Sequence, residues 1–184
     1  MLATMRPPRK LATEEQFYAA ALRALMRRAH SVYEMRQALE RRLPTGPGAE
    51  EKVAVRRVLQ RLKNEKLLDD ARYSHQFARY RAESRRQGRF RIARELRARG
   101  VPDRHIEAAL EDIFKETDEA TLVRQRLQRG LKHLRGPLDQ RRLASLYRSL
   151  LRAGFSSDVV RAELRAAIRE DVAELADTAP AEEE

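Results

Sequence analysis

The sequence predicts an all-α protein built as three tandem three-helix repeats, about nine helices in all, in an elongated, curved, solenoid-like arrangement. Three observations predict this fold. Leu, Ala, Arg and Glu dominate while β-branched residues are few, which favours helix by intrinsic propensity. Apolar residues recur at helical spacing between residues that cap or break helices. A unit of about 55 residues also repeats along the chain, and stacked repeats bury their apolar faces on one another.

The first repeat, residues 13–67, follows a basic N-terminal tail, residues 1–12. Thr13 with Gln16 predicts a capping box that opens a helix running to about Ala29. Further signals are a second capping box (Ser31 with Glu34), a loop at 44–48, and the apolar positions Phe17, Ala21, Leu22, Leu25, Met35, Ala38, Leu39, Val55, Val58, Leu59 and Leu62.

The second repeat, residues 68–115, follows the same plan. Asp69 caps a first helix that ends near Gly88, and Gly100 closes the second helix as a left-handed C-cap. The other signals are Ile92 and Leu96 in the second helix, and a third helix that opens at Pro102 or Asp103 and carries Ile106, Ala109, Leu110 and Ile113.

The third repeat, residues 116–175, precedes an acidic tail, residues 176–184, which we expect to be disordered. Its first helix starts at about Asp118 and is broken by Gly136 and Pro137. The other signals are Val123, Leu127, Leu131 and Leu134 in that helix, a second helix from about Gln140 to Ala153 with Leu143, Leu146, Tyr147 and Leu150, and a third opened at 154–157 with Val159, Val160, Leu164 and Ile168.

Alignment of the repeats supports the plan. A shift of 57 residues places Met35 on Ile92 and Leu39 on Leu96. A shift of 54 residues places Gly100 on Gly154, Val101 on Phe155, Ile106 on Val160 and Leu110 on Leu164. Repeats of this kind produce a long surface rather than a pocket, so we expect a protein that binds macromolecules.

Composition narrows the class of protein further. With 42% apolar and 36% charged residues, the chain matches a soluble, helix-rich protein. Cysteine is absent, which excludes disulfides and thiolate metal sites and is compatible with a reducing compartment. No apolar run approaches the roughly 18 residues of a membrane span, and the basic N-terminus lacks a signal peptide's apolar segment. We therefore expect a cytoplasmic protein with no membrane partner.

The net charge of +11 is concentrated in the middle of the chain. Between Arg79 and Arg99 there are nine arginines and only two acids, Glu83 and Glu95. This stretch is either a solvated helix face or a surface for a polyanion or an acidic protein groove. Arginine's planar fork suits the second interpretation, because it binds phosphates and carboxylates through two hydrogen bonds.

No catalytic constellation emerges from the sequence. The four histidines are scattered, none at i, i+4 from another, and no Gly-rich phosphate loop occurs, so we expect no enzyme, metal site or cofactor. Asp69 with Asp70 could bind a cation, but their place at a helix start favours capping. Three aromatic residues could stack on bases, but their helical spacing favours core positions; they are Tyr73, Phe77 and Tyr80.

A helix-turn-helix that reads DNA is disfavoured. The helix after Gly100 would be the recognition helix, and its acids would repel phosphates. Those acids are Asp103, Glu107, Glu111 and Asp112, against Arg104 as the basic residue.

The chain resembles the RecX family of recombination regulators over roughly residues 14–170. The middle repeat carries the most specific motifs, which are Leu67-Leu68-Asp69-Asp70 with Tyr73, the run Gly88-Arg89-Phe90-Arg91-Ile92-Ala93-Arg94-Glu95-Leu96, and Gly100-Val101. Gly154-Phe155-Ser156 matches near the end, and Ala24-Leu25, Ser31 and 58–62 match in the first repeat. The chain departs from the family pattern at Ala153, where a basic residue is frequent, and in the Pro- and Gly-rich loop 44–48.

The resemblance implies a modulator of the RecA recombinase. Members of the family lie in the deep groove of the RecA–single-stranded-DNA filament and inhibit its ATPase, strand-exchange and coprotease activities, which affects DNA repair and the SOS response. We expect a monomer that contacts the filament and allows weak direct binding of DNA. The predicted arginine set, meaning the residues expected to make these contacts, is Arg79, Arg85, Arg86, Arg89, Arg91, Arg94 and Arg97.

Two other functions are compatible with the sequence. One is a helical module that binds nucleic acid independently of RecA, and the other is a structural scaffold whose arginines are only solvated. Salt dependence separates the first from a filament regulator, because binding to naked nucleic acid weakens steeply with salt.

Overall fold

The computed structural model describes residues 10–132 and 139–177, and this part of the chain is entirely helical and irregular, without strands. The prediction of an all-α fold is therefore confirmed. The helices of the described residues are α1 Glu14–Leu25, α2 Val32–Glu40, α3 Ala49–Asn64, α4 Asp70–Glu83, α5 Arg89–Arg97, α6 Asp103–Glu116, α7 Glu119–Lys132, α8 Gln140–Arg152 and α9 Ser157–Asp177.

The helices form two compact units. Unit 1 contains the described residues up to Gln76 together with Leu96–Ile106. Unit 2 contains Phe77–Glu95 and the described residues from Glu107 onward. The middle repeat contributes to both units, and the domain boundaries drawn from the sequence stay a prediction.

The core of unit 1 lies between α1, α2 and α3. Phe17, Met35, Leu39, Val58 and Leu62, all predicted apolar positions, are almost completely inaccessible to solvent. Burying side chains of this size removes apolar surface from water at about 25 cal/mol per Å², so these contacts hold the three helices together.

The helix starts of unit 1 follow the sequence signals. Ser31 and Glu34 form the predicted capping box, since the Ser31 hydroxyl accepts from the backbone of Glu34 and the Glu34 carboxylate accepts from the backbone of Ser31. Thr13 accepts from the backbone of Gln16 at 3.3 Å, while the Gln16 side chain accepts from the backbone of Ala12. The predicted end of α1 is wrong, because the helix ends at Leu25, four residues before Ala29.

The core of unit 2 lies between α7, α8 and α9, and α5 and α6 also carry buried apolar residues. Its most buried side chains at predicted apolar positions are Ile92, Ile113, Val123, Leu127, Leu150 and Val160. The predicted positions Leu134, Gly136 and Pro137 lie outside the described residues, as do the greater parts of both predicted tails.

Helix α4 ends earlier than the sequence predicts. It stops at Glu83 rather than near Gly88, because Arg86 has a left-handed backbone with φ of 47°. The backbone N–H of Gln87 then turns back to the carbonyl of Arg81 at 3.0 Å. The chain is redirected at this point toward the start of α5.

The predicted burial of the three α4 aromatic residues is only partly confirmed. Tyr73 is buried and Phe77 is half-buried, whereas Tyr80 is 50% exposed, so its assignment to the core is wrong. The buried face of the second half of α4 is formed instead by Ala78 and Ala82, both completely inaccessible. Small alanines let neighbouring segments approach the helix closely, and the aromatic ring is left at the surface.

Unit 1 contains a junction between the start of α2 and residues of the second repeat. The Ser31 hydroxyl donates to the backbone carbonyl of Arg99 at 2.6 Å, and the backbone N–H of Val32 donates to the Asp70 carboxylate at 2.9 Å. The second bond satisfies a backbone donor that the first turn of α2 leaves without an intrahelical partner, and the first bond satisfies the carbonyl of Arg99.

Unit 2 contains a corresponding junction at the start of α5. The backbone N–H of Gly88 donates to the carbonyl of Ala153 at 2.9 Å, and the backbone of Arg89 donates to the Glu119 carboxylate. Under the repeat alignment, Gly88 corresponds to Ser31 with a shift of 57, and Ala153 to Arg99 with a shift of 54. The same arrangement is therefore built once in each unit, as tandem repeats require.

Candidate basic groove

The predicted arginine set is distributed over several elements and over both units. In unit 2, Arg79 lies on α4, Arg85 and Arg86 lie in the loop after it, and three more lie on α5, which are Arg89, Arg91 and Arg94. Arg97 belongs to unit 1. Six members of the set therefore lie in unit 2 and one lies in unit 1, and their local contacts differ.

Two members of the set in unit 2 are engaged by carboxylates. Arg79 pairs with Glu116 at 3.3 Å, and Arg91 pairs with Glu95 at 3.0 Å. Because Arg91 also has a neighbour in Arg81, which reaches the same Glu95 carboxylate at 2.9 Å, this pair belongs to a small ion cluster. In unit 1, Arg97 pairs with Asp103 at 2.7 Å.

Other members are more accessible to a partner. Arg94 is exposed and makes no ion pair within the described residues. The guanidinium of Arg85 lies 5.7 Å from the ring centroid of Tyr80, and that of Arg89 lies 5.3 Å from the ring of Phe114. Such cation–π contacts hold the side chains without neutralising their charge.

A groove of about 430 Å³ brings Arg85 and Arg86 together with Arg126 and Arg129 of α7. We call this the basic groove. Leu127 of α7 and two leucines of α8 also line it, Ser84 and Ser149 contribute hydroxyl groups, and none of the described residues in its lining is a carboxylate. A site with four guanidinium groups and no acid attracts anions.

Arg126 fixes the wall of the basic groove. Its Nη1 donates to the backbone carbonyls of Arg85 and Arg86, at 3.5 and 3.2 Å. The Nε of Arg86 in turn donates to the Gln125 side chain at 2.9 Å. The left-handed residue Arg86 is thus held on both its carbonyl and its side chain by α7.

The electrostatics of Arg126 reflect this crowding of cations. Burial lowers the pKa of its guanidinium below the ordinary value, and the positive charges of Arg91 and Arg86 lower it further. By contrast, Arg124, two residues earlier on α7, pairs with both carboxylate oxygens of Glu163 at 3.0 and 3.1 Å. The charge of Arg124 on α7 is therefore neutralised by an ion pair, whereas Arg126 makes no ion pair within the described residues.

Sequence reasoning missed Arg126 and Arg129, which lie outside the arginine-rich stretch 79–99. Their spacing of i and i+3 places them on one face of a helix, which is the signal that could have identified them. It does not identify the loop that they face, because that contact joins positions about 40 residues apart.

Asp69 and Asp70, for which the sequence left a cation site open, both accept hydrogen bonds from backbone N–H groups in the structure. Asp69 accepts from the backbone of Arg72 at 3.0 Å as an N-cap, and Asp70 accepts from the backbone of Val32. In the part of the chain described, no three His, Cys, Asp or Glu side chains come together as metal ligands. Within the same residues, no helix combines the length and apolarity needed to cross a bilayer.

Comparisons with known proteins agree on one family. A family model described as "RecX, second three-helix domain" matches residues 69–110, which lie inside the predicted second repeat. The chain is 42% identical over 164 residues to a "Regulatory protein RecX" from Halorhodospira halophila, covering 87% of this chain and 93% of that protein. It is 38% identical over 161 residues to a protein of the same name from Mycobacterium sp. strain KMS, covering 82% of this chain and 83% of that protein.

Two crystal structures share the fold. One, of a regulatory protein RecX, superposes with a TM-score of 0.69 at 22% identity and covers 80% of this chain and 71% of that one. The other, RecX from Lactobacillus salivarius, also gives a TM-score of 0.69, at 18% identity, and covers 85% of this chain and 97% of that one.

Proposed function

Because the chain belongs to the RecX family of regulatory proteins, we propose that it binds the RecA–single-stranded-DNA filament and inhibits the recombinase. The activities affected are the ATPase, strand exchange and coprotease reactions, with consequences for DNA repair and the SOS response. The protein acts in the cytoplasm as a monomeric binding protein rather than as an enzyme.

The observation that carries this proposal is the surface of uncompensated arginines in unit 2. Arg85 and Arg94 are exposed without ion pairs in the described part of the chain, and Arg85 belongs to the basic groove. A nucleoprotein filament offers both phosphates and acidic protein surface, and arginine binds both in a planar, two-bonded geometry.

Inhibition further requires a preference between filament states. A ligand that binds growing and shrinking filaments equally well changes neither population. The arginine surface would have this preference if its cations contact two neighbouring recombinase subunits, or a subunit and the DNA strand, only in one filament geometry.

The test is the DNA-dependent ATPase rate of the cognate RecA on single-stranded DNA, titrated with this protein below one copy per recombinase. Wild type should inhibit at these ratios. The double variant Arg85→Glu/Arg94→Glu should require at least about tenfold more protein, because two exposed charges that would pair with anions are reversed. A matched control is Arg148→Glu/Arg165→Glu, which reverses two exposed arginines of α8 and α9 with no part in the groove.

The control should inhibit like wild type. Loss of inhibition in both double variants would show that net charge rather than this surface matters. Absence of inhibition by wild type, or inhibition only when the protein coats all of the DNA, would refute regulation of the filament.

The second candidate is a nucleic-acid-binding module that acts without RecA, and the acid-free lining of the basic groove favours it. Its signature is binding that weakens log-linearly with salt and needs no recombinase. Binding to the filament should instead persist at salt concentrations where naked DNA is released.

A further inference from the structure

We propose that the basic groove is a binding site for the phosphate backbone of single-stranded nucleic acid, with Arg85, Arg126 and Arg129 on the phosphates and Tyr80 stacked on a base. This inference rests on the proposed function only for the source of the strand, the DNA within the recombinase filament. The binding itself is a property of this chain alone.

The charge of the groove selects its ligand. Among the described residues that line the groove, the four ionisable groups are all guanidinium groups, which match phosphate oxygens through two parallel hydrogen bonds. The hydroxyls of Ser84 and Ser149 add neutral donors of the kind that proteins use on phosphates.

A second groove in the protein provides a comparison. It lies in unit 1, has a volume of about 470 Å³, and is lined by Arg36, Lys52, Arg56 and Lys63, but also by the carboxylate of Glu40. The acid partly neutralises those cations and would repel a phosphate. The basic groove of unit 2 is therefore the stronger anion site.

Arg126 is oriented before a ligand arrives. Its Nη1 is used by the carbonyls of Arg85 and Arg86, while its Nε and Nη2 have no hydrogen-bond partner in the described residues. A guanidinium that is fixed on one nitrogen and free on the others can bind a phosphate with little further loss of side-chain entropy. The same two contacts hold the backbone of Arg85 and Arg86 beside it.

The aromatic ring of Tyr80 favours a single strand over a duplex. Tyr80 is 50% exposed, and its ring lies under the guanidinium of Arg85, which lines the groove. A base can stack on an exposed ring beside a cationic track only if it is unpaired and turned outward. A duplex offers phosphates but keeps its bases stacked inside.

The experiment measures binding of a fluorescent oligothymidine of about 15 nucleotides, without recombinase, by anisotropy over a series of salt concentrations. Three phosphate contacts predict a log–log salt slope of about −2 for wild type. The variant Arg85→Glu/Arg129→Glu should bind at least about tenfold more weakly with a slope closer to −1, since each lost contact removes about 0.7. The control Arg148→Glu/Arg165→Glu should keep the wild-type slope.

A second variant tests the stacking contact. Tyr80→Ala should weaken binding of oligothymidine by about fivefold or more, and should have no effect on an abasic oligomer of the same length. Equal weakening on both oligomers would assign Tyr80 a structural role and overturn this contact. If Arg85→Glu/Arg129→Glu is poorly folded by circular dichroism, the single variant Arg129→Glu, at an exposed position, replaces it.

The outcomes separate this inference from the proposed function. If the groove variant and the control variant lose affinity for oligothymidine equally, the strand is attracted by the overall charge of the protein. That result would overturn a binding site in the groove. Inhibition of the RecA ATPase without any binding of oligothymidine would refute the inference and leave the regulation intact. Displacement of oligothymidine from wild type by polyglutamate at lower concentration than by inorganic polyphosphate would identify an acidic protein segment as the ligand instead.

Discussion

The hydroxyl of Ser31 donates to the backbone carbonyl of Arg99 at 2.6 Å, although 68 positions separate the two residues. The same hydroxyl accepts from the backbone N–H of Glu34 as the cap of α2, and Ser31 is completely buried. One side-chain oxygen thus closes a helix end and joins two repeats within unit 1.

Ser31→Ala should lower the free energy of unfolding by about 2 kcal/mol, since it removes a helix cap and leaves the partly buried carbonyl of Arg99 without this donor. Urea denaturation followed by circular dichroism measures the change. Ser145→Ala, at an exposed position within α8, is the control and should change stability by less than about 0.5 kcal/mol. Equal effects of the two variants would contradict the role of the Ser31 junction.

Gly154→Ala should destabilise the protein far more than Gly46→Ala. Both glycines have positive φ, of 90° and 69°, so both variants carry the strain of a left-handed alanine. A Cβ on Gly154 would lie 2.3 Å from the backbone nitrogen of Arg91, whereas a Cβ on Gly46 meets nothing within 4 Å. We expect about 1 kcal/mol for Gly46→Ala and at least about 2 kcal/mol more for Gly154→Ala, measured by thermal and urea unfolding. Similar values would show that the backbone at Gly154 can move aside.

Glu34 should make stability depend on acid pH. Burial raises the pKa of its carboxyl, but hydrogen bonds from Arg28 and Ser31, with the charges of Arg28 and Arg99, outweigh burial and hold the pKa below its ordinary value. Because the pKa of Glu34 is lower in the folded state, the unfolded state binds this proton at a higher pH than the folded state does. The stabilisation is therefore complete above the unfolded pKa and is lost as the pH falls through the folded pKa.

Glu34→Gln should accordingly cost about 1 to 2 kcal/mol near pH 7, and the difference from wild type should shrink near pH 3. Urea midpoints at several pH values measure it. Glu107→Gln, at an exposed glutamate of α6, is the control and should leave the pH profile unchanged. A constant difference between Glu34→Gln and wild type at all pH values would rule out the titration of this group as the cause.

Arg81 should act on stability and not on binding. Its Nη2 pairs with Glu95 at 2.9 Å in surroundings where the two side chains are only 24% and 20% exposed, and its guanidinium lies 4.9 Å from the ring centroid of Phe77. Arg81→Met keeps the length of the side chain but leaves Glu95 with Arg91 as its ion-pair partner. We expect a loss of about 1 to 2 kcal/mol in unfolding free energy, with unchanged binding of oligothymidine at temperatures where the variant is folded. Weakened binding by the folded variant would place Arg81 in the interface.

The positions where the sequence predicted helices correctly share one physical feature, a local signal. Caps such as Ser31 and Asp69 act within a single turn, and Gly100 ends its helix with φ of 68°, so neighbouring residues contain the information. Gly154, which the repeat alignment places on Gly100, also has a positive φ, of 90°.

The wrong predictions for the end of α4 and for Tyr80 concern features that depend on contacts between distant parts of the chain. The end of α4 depends on Arg86 being held by α7, and the exposure of Tyr80 depends on which face of α4 meets neighbouring elements. The candidate site shows the same division. Arg85 belonged to the predicted arginine set because its neighbours in sequence are basic, whereas Arg126 and Arg129 join it only through tertiary packing.

The contact between Gly88 and Gly154 has an evolutionary consequence. A Cβ on Gly88 would lie 2.2 Å from the carbonyl oxygen of Gly154, and two hydrogen bonds beside it, from Gly88 to Ala153 and from Phe90 to Gly154, join main-chain atoms. These two bonds do not depend on the identity of the side chains around them, whereas the bond from the Arg89 backbone needs the carboxylate of Glu119. Lineages can therefore exchange the surrounding arginines to suit a different partner while this junction is kept, provided that selection removes substitutions at the two glycines.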